Sequence, residues 1–210
     1  MSLTDTVYAR LKDRILRVEI EPGQVLYEAD LAQEFAVSKT PIREALQMLA
    51  QSSWVVVLPR KGYLVKPVEL RDIREIFALR RMIEPVLAGE AAGAAAPDQV
   101  EVLEGLVEEQ VAVADLDGGL DAARRFHLSL ADIAGSPRTR RILEDLIDDV
   151  TRLHYLLPSV EGHIGSAEEL QAHRDIIGGL RERDARRAHE AMDNHLGEVA
   201  RTLVNGFVGV

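Results

Sequence analysis

The sequence predicts a mainly α protein: an N-terminal winged helix-turn-helix followed by an antiparallel all-α bundle of about six helices. Three observations carry that prediction. The stretch VSKTPIREAL (residues 37–46) has the form of a tight turn opening a helix. Two short β-branched runs joined by a basic glycine turn follow it directly, at residues 54–65. Beyond Pro67 only the three-and-four spacing of helices recurs, punctuated by Gly and Pro.

Taken in order, Val7, Leu11, Ile15 and Val18 predict the first helix, and Pro22-Gly23 breaks it. Leu31, Ala32 and Phe35 predict a short helix over residues 28–35. Val37-Ser38 is the turn, with Ser38 an N-cap and Pro41 tolerated in the first turn of the next helix. Ile42, Ala45, Leu46 and Leu49 form one apolar stripe, which leaves Lys39, Thr40, Arg43 and Gln47 on the opposite face. Such a helix can enter a major groove and contact phosphates and base edges. Its bland alternative is an amphipathic helix with a solvated basic face. Residues 54–58 and 63–65 read as strands around Pro59-Arg60-Lys61-Gly62. There Gly62 can take a positive φ and bring the backbone close to a phosphodiester, while Arg60 and Lys61 reach phosphates or the minor groove. These features divide the chain into a DNA-binding domain over 1–67 and a helical domain over 68–210, with Val68-Glu69 as linker.

Charge supports the division. The chain carries −10 overall, yet residues 1–66 hold nine Lys+Arg against eight Asp+Glu, so the acidic excess belongs to the helical part. A domain this weakly basic binds nonspecific DNA modestly and in a salt-sensitive way. There is no Cys, which excludes disulfides and thiolate metal sites. No apolar run approaches the roughly 20 residues of a membrane span, and residues 1–17 read as an amphipathic helix rather than a secretion signal. A cytoplasmic location is expected.

Helices are predicted near residues 69–94, 97–116, 119–134, 137–157, 166–183 and 185–204. Ala88 to Ala96 permits close helix approach. His127, His173 and His195 each fall on the apolar face of a different helix, and three such imidazoles can converge on Zn, Ni or a similar ion. Each alone is equally readable as a hydrogen-bonded core residue. Arg80 and Glu84 stand at i, i+4 on the first bundle helix, a spacing that makes either an ordinary helix ion pair or a cavity-facing pair. Arg124 and Arg125 read as surface or rim, His154 as inward, His163 and His189 as exposed. Glu84 is the one inward carboxylate that the pattern identifies.

The run LKDRILRVEIEPGQVLYEADLAQEFAVSKTPIREALQMLA with LPRKGYLVKPV resembles the N-terminal domain of the GntR superfamily of bacterial transcription regulators. DIREIFALRRMIEPVLAGEAA resembles the opening helix of its FadR-type branch, whose effector domain is called FCD, and six helices suit the smaller FCD subgroup. The resemblance implies DNA contacts at Ser38, Lys39, Thr40, Arg43 and Gly62. It also implies a homodimer on an inverted-repeat operator, repression rather than activation, and a small organic-acid effector met by Arg80. A metal site would use His127, His173 and His195, one divalent ion per subunit, with an Asp four residues before the first His. Four features depart from the pattern. Lys39 stands where Arg is usual and lacks its bidentate fork, Gln51-Ser52-Ser53 replaces an acidic-glycine turn, Ala29 sits where some members place an Arg near the DNA, and Ala123 occupies the Asp position. Asp121 lies about 240° around the helix from His127 and cannot take its place. An effector-less dimeric DNA-binding protein remains an alternative. A metal-dependent hydrolase is a more distant one, because no HExxH, GxSxG or Walker motif is present.

Overall fold

The computed structural model describes residues 2–113 and 115–209. Contacts divide the chain into two compact units, residues 1–69 and 70–210.

The first unit contains α1 (Leu3–Leu16), β1 (Val25–Leu26), α2 (Glu28–Glu34), α3 (Lys39–Gln51), β2 (Val55–Leu58) and β3 (Gly62–Val65). Ser2 caps α1 through a reciprocal box with Asp5, which satisfies donors at the helix start. The apolar stripes of α1 and α3 meet in one core of Val7, Leu11, Ile15, Ile42, Leu46 and Leu49, closed by Trp54 and Val65. The three strands form an antiparallel sheet in the order β1-β3-β2. The residue pattern indicated β2 and β3 but not β1, since two residues are too short for an alternation to show.

Helix ends in this unit depend on residues other than glycine in the left-handed region. After α2, Ala36 takes φ 54° while Val37 N–H donates to Ala32 C=O and Ala36 N–H to Gln33 C=O. After α3, Ser53 takes φ 62° with Trp54 N–H on Leu49 C=O and Ser53 N–H on Ala50 C=O. Both are Schellman closures. Ser53 thus closes α3 in the left-handed conformation that favours glycine, with a side chain present. Val18, expected as the last turn of α1, lies outside it with φ 59°, because α1 closes at Arg17. Ser38 occupies the N-cap of α3 by its backbone, without a side-chain hydrogen bond to the helix.

The second unit comprises α4 (Leu70–Ala94), α5 (Pro97–Ala112), α6 (Leu116–Ile133), α7 (Pro137–Leu156), a 3-10 segment (Pro158–His163), α8 (Ala167–Arg181) and α9 (Ala185–Val208). Short connections between packed neighbours make the bundle antiparallel. Leu116, expected to close α5, opens α6 instead, capped by Asp115 accepting from Gly118 N–H; residue 114, in the same expected helix, lies outside the described residues, as does Met1 of the expected first helix. Small residues set the closest approaches. Ala88, Ala91 and Ala92 of α4 are wholly buried, and a Cβ at Gly179 of α8 would meet the Ala188 backbone nitrogen at 2.6 Å. These contacts bring α8 and α9 to a separation at which their histidines can touch.

Replacing Ser53 by Gly removes the left-handed penalty at an exposed site and is expected to stabilise the first unit by about 1 kcal/mol, net of the added unfolded-chain freedom. Chemical denaturation of the two proteins measures it. An unchanged or lowered midpoint would refute the strained corner.

Candidate functional site

The first unit presents two exposed basic edges. Ser38, Lys39, Thr40 and Arg43 lie on the outward face of α3, while Pro41, Ile42, Ala45 and Leu46 hold its inner face in the core. Between β2 and β3, Lys61 N–H donates to Leu58 C=O at 2.9 Å and Arg60 adopts φ 64°, a turn with proline at its second position. Arg60 and Lys61 are exposed at this tip. Gly62 has φ 101° at the start of β3, and its close neighbour is protein: a Cβ there would lie 2.4 Å from the Leu26 carbonyl oxygen. Gly62 is therefore required for β1 to pair beside the wing, a close approach that the sequence pattern attributed to a phosphodiester.

Arg43 is not a free cation. Its guanidinium forks onto Glu28 of α2, with Nη2–Oε2 at 2.8 Å and Nε at 3.0 and 3.1 Å from the two oxygens. Hydrogen bonding to Arg43 lowers the Glu28 pKa and raises that of Arg43. An Arg held by a carboxylate is pre-oriented, and it still offers donors to solvent. The signal for this contact was weak, since Glu28 precedes any visible helical period.

In the second unit the structure brings His127 of α6, His173 of α8 and His195 of α9 together. Their relative exposures are 5%, 0% and 3%, and one ring nitrogen from each lies within 4.8 Å of the other two. Phe126 stacks on His173 at 4.3 Å between ring centroids and limits its rotation.

Each Nδ1 faces a carboxylate or amide oxygen. His127 Nδ1 lies 2.5 Å from Glu84 Oε2, and the other Glu84 oxygen accepts from Arg80 Nε, also at 2.5 Å. Gln110 donates through Nε2 to the Ile164 carbonyl, which orients its Oε1 to accept from His173 Nδ1 at 3.1 Å. His195 Nδ1 faces Glu169 Oε2 at 3.4 Å. Protons on the three Nδ1 atoms leave three Nε2 lone pairs inside. His127 Nε2 and His195 Nε2 stand 3.3 Å apart, and His173 Nε2 has no hydrogen-bond partner.

The surroundings fix the charge states. Burial opposes charging of Glu84, but Arg80 and then His127 outweigh it and draw the carboxyl down to about 2. Burial pushes His195 down to about 4 and His173 well below its ordinary value, so both imidazoles are neutral near pH 7. Neutral imidazole with its remote N–H held by a carboxylate or carbonyl is the form that ligates divalent ions. Two imidazole nitrogens on one tetrahedral zinc, with bonds of about 2.0–2.1 Å, lie roughly 3.3–3.4 Å apart. The separation of His127 and His195 matches, so the residues fit a metal.

Beside the cluster is a cavity of about 40 Å³, lined by Arg80, Ala123, His127, His154, Glu169 and His195 among others. That volume suits one or two waters. Arg80 and Glu84 are thus a helix ion pair, with Arg80 also part of the cavity wall. Arg124, at the rim, pairs with Asp148 at 2.6 Å, and Arg125 is exposed. His154 is buried against the cavity with Nδ1 unpartnered, while His189 is exposed. Two sequence expectations need correction. His163 is half-buried, not exposed, and its Nε2 sits 3.4 Å from Glu169. Glu84 is not the one inward carboxylate, for Glu169 of α8 is 5% exposed and faces the histidines. Reading α8 by its leucines and isoleucines passed over Glu169, although it stands four residues before His173, on the same face.

Comparison with known proteins names the two units. Residues 3–65 match the model of the bacterial regulatory proteins of the gntR family, and residues 75–198 match the FCD domain. The chain belongs to the GntR family of transcriptional regulators. It is 29% identical over 201 residues to the HTH-type transcriptional repressor RspR of Escherichia coli K12, covering 94% of this chain and 87% of that one. An HTH-type regulator from an unstable DNA locus of Streptomyces ambofaciens is 30% identical, covering 90% and 80%. The E. coli McbR/YncC structure shares the fold, with a TM-score of 0.83 at 22% identity over 99% of both chains. The GntR regulator described here is a DNA-binding protein with an effector domain, and it belongs to a family of regulators, not of enzymes. No helix among its described residues is long and apolar enough to cross a membrane.

Acid should unfold the metal-free GntR regulator in a manner set by its buried histidines. Burial holds the His154 pKa near 4 against 6.5 in the unfolded chain, so unfolding takes up a proton below pH 6.5. Stability is expected to fall between about pH 6.5 and 4, by on the order of 3 kcal/mol for this group. Urea midpoints at pH 7 and 4.5, compared between the parent and His154→Leu, should show a shallower decline in the variant. Parallel declines would contradict a neutral, buried His154.

Proposed function

We propose that this regulator is a homodimeric, ligand-responsive repressor whose FCD domain binds one divalent metal per subunit, zinc or nickel, and through it a small organic acid. The observation that carries this reading is the convergence of three buried imidazoles, each with a carboxylate or amide oxygen beside its Nδ1 and with its Nε2 turned toward the cluster. Lone pairs at 3.3 Å in a dry interior repel unless a cation or proton lies between them. A bound divalent ion supplies a Lewis-acid centre on which a carboxylate effector can sit. Arg80, on the cavity wall and paired with Glu84, adds positive charge where such a carboxylate would enter.

On the DNA side, Ser38, Lys39, Thr40 and Arg43 would occupy a major groove while Arg60, Lys61 and Gly62 hold the backbone beside it. Glu28 holds the Nε–Nη2 edge of Arg43 and leaves its remaining donors for a DNA contact. Dimerisation on an inverted repeat is supported by Leu79, Met82 and Val86, an exposed apolar stripe at three- and four-residue spacing on α4. Repression is favoured by the similarity to RspR, a repressor. Such a protein works in the cytoplasm, on operator DNA. Effector control requires unequal effector affinity for the DNA-binding and released states.

Arg43→Ala is expected to weaken operator binding by about 1–3 kcal/mol and leave the dimer intact, as read by fluorescence anisotropy and sedimentation. Undiminished binding would remove Arg43 from the DNA interface. Native mass spectrometry of protein purified without chelators or metal-affinity resin should show a dimer with one metal per subunit, lost in His127→Ala. A metal-free dimer, unresponsive to added zinc or nickel, would refute the metal reading.

A further inference from the structure

We infer that Glu169 is the anionic ligand of this site, a carboxylate supplied by α8 in place of one from α6. The inference rests on the metal reading above and adds to it the residue that neutralises the ion.

A divalent cation held by three neutral imidazoles in a dry interior keeps its full charge, and burying an uncompensated charge is costly. The α6 position one turn before His127 offers only the Ala123 methyl. Ala123 and Glu169 line the same small cavity, so a carboxylate borders the space that the short side chain leaves open.

The placement of the two oxygens separates their roles. Oε2 lies 3.4 Å from both His195 Nδ1 and His163 Nε2. Oε1 lies 3.7 Å from His173 Nε2, the nitrogen without a hydrogen-bond partner. All three distances exceed the roughly 2.7–2.9 Å of a formed charge-assisted bond. Glu169 is thus a buried carboxylate surrounded by imidazoles and firmly bonded to none of them. Glu84 shows the contrast: both its oxygens are taken at 2.5 Å, by Arg80 and His127, which fixes it behind the ring. Of the two buried glutamates, only Glu169 has an oxygen directed to the ligating side of a histidine.

Local structure holds it there. Glu169 lies in the first turn of α8, its N–H bonded to the Ser166 side chain. Its i, i+4 spacing to His173 places carboxylate and imidazole side by side on one helix face.

Calorimetric titration of chelator-treated protein with zinc tests the assignment in the parent, in Glu169→Gln and in the Glu169→Gln/Ala123→Asp double variant. Glu169→Gln should weaken zinc binding by about 10-fold or more, with the apo melting temperature recording its fold. Adding Ala123→Asp should recover most of the loss by returning a negative charge from α6. Diffraction from zinc-loaded parent crystals, which needs no variant to fold, should place a Glu169 oxygen about 2.0–2.2 Å from the anomalous peak. Parent-like affinity in Glu169→Gln, or a peak bonded to neither Glu169 oxygen, overturns the assignment and leaves the three-histidine reading standing. A double variant that binds zinc no better than Glu169→Gln makes Glu169 a positioning residue for His195 and also overturns it. A parent protein that binds no zinc removes both readings.

Discussion

Three imidazole lone pairs facing one another at the centre of the bundle are the constraint on which the second unit depends. Glu84 and Gln110 hold the Nδ1 atoms of His127 and His173, so a change of tautomer at either ring breaks a buried contact, while Glu169 stands 3.4 Å from His195 Nδ1. The same partners tie the centre outward: Glu84 to Arg80 on α4, and Gln110 of α5 to the Ile164 backbone ahead of α8. Every helix that contributes to the cluster is thereby registered against its neighbours. A change at the centre is felt first by these contacts, which is the physical requirement for a sensor.

The charge distribution fits a division of labour between the units. The first exposes Lys39 and Arg43 on α3 and Arg60 and Lys61 at the wing tip, and Glu28 holds Arg43 in position. The second carries the acidic excess mostly on its surface, with buried Glu84 paired to Arg80 and His127 and buried Asp148 to Arg124. Glu84 stays ionised in the dry because Arg80 and His127 flank it. An anionic ligand at this wall would meet an Arg80 already partly neutralised by Glu84.

The inferred role of Glu169 moves the negative charge of the cluster from α6 to α8. At Ala123 the cavity wall is a methyl, and Glu169 borders the same cavity from another helix. Substitution of this kind keeps the total charge of a site while moving its source. It escapes any reading that compares positions one by one along a motif.

Local pattern was enough to define the elements and their faces. The stripe of Ile42, Ala45, Leu46 and Leu49, the basic turn before Gly62 and the three histidines on apolar faces were all legible, because helical and strand periodicities are local and burial follows them. The six bundle helices fell within a few residues of their predicted bounds for the same reason. Periodicity does not register which polar side chains meet across elements. Packing paired Arg43 with Glu28, put Gln110 behind His173, set Gly62 against Leu26, and turned Glu169 inward beside His163. Those contacts join residues up to 63 positions apart. Within the bundle they are decided by the helix separations that Ala88, Ala91 and Gly179 permit, a property of packed surfaces that no single segment carries.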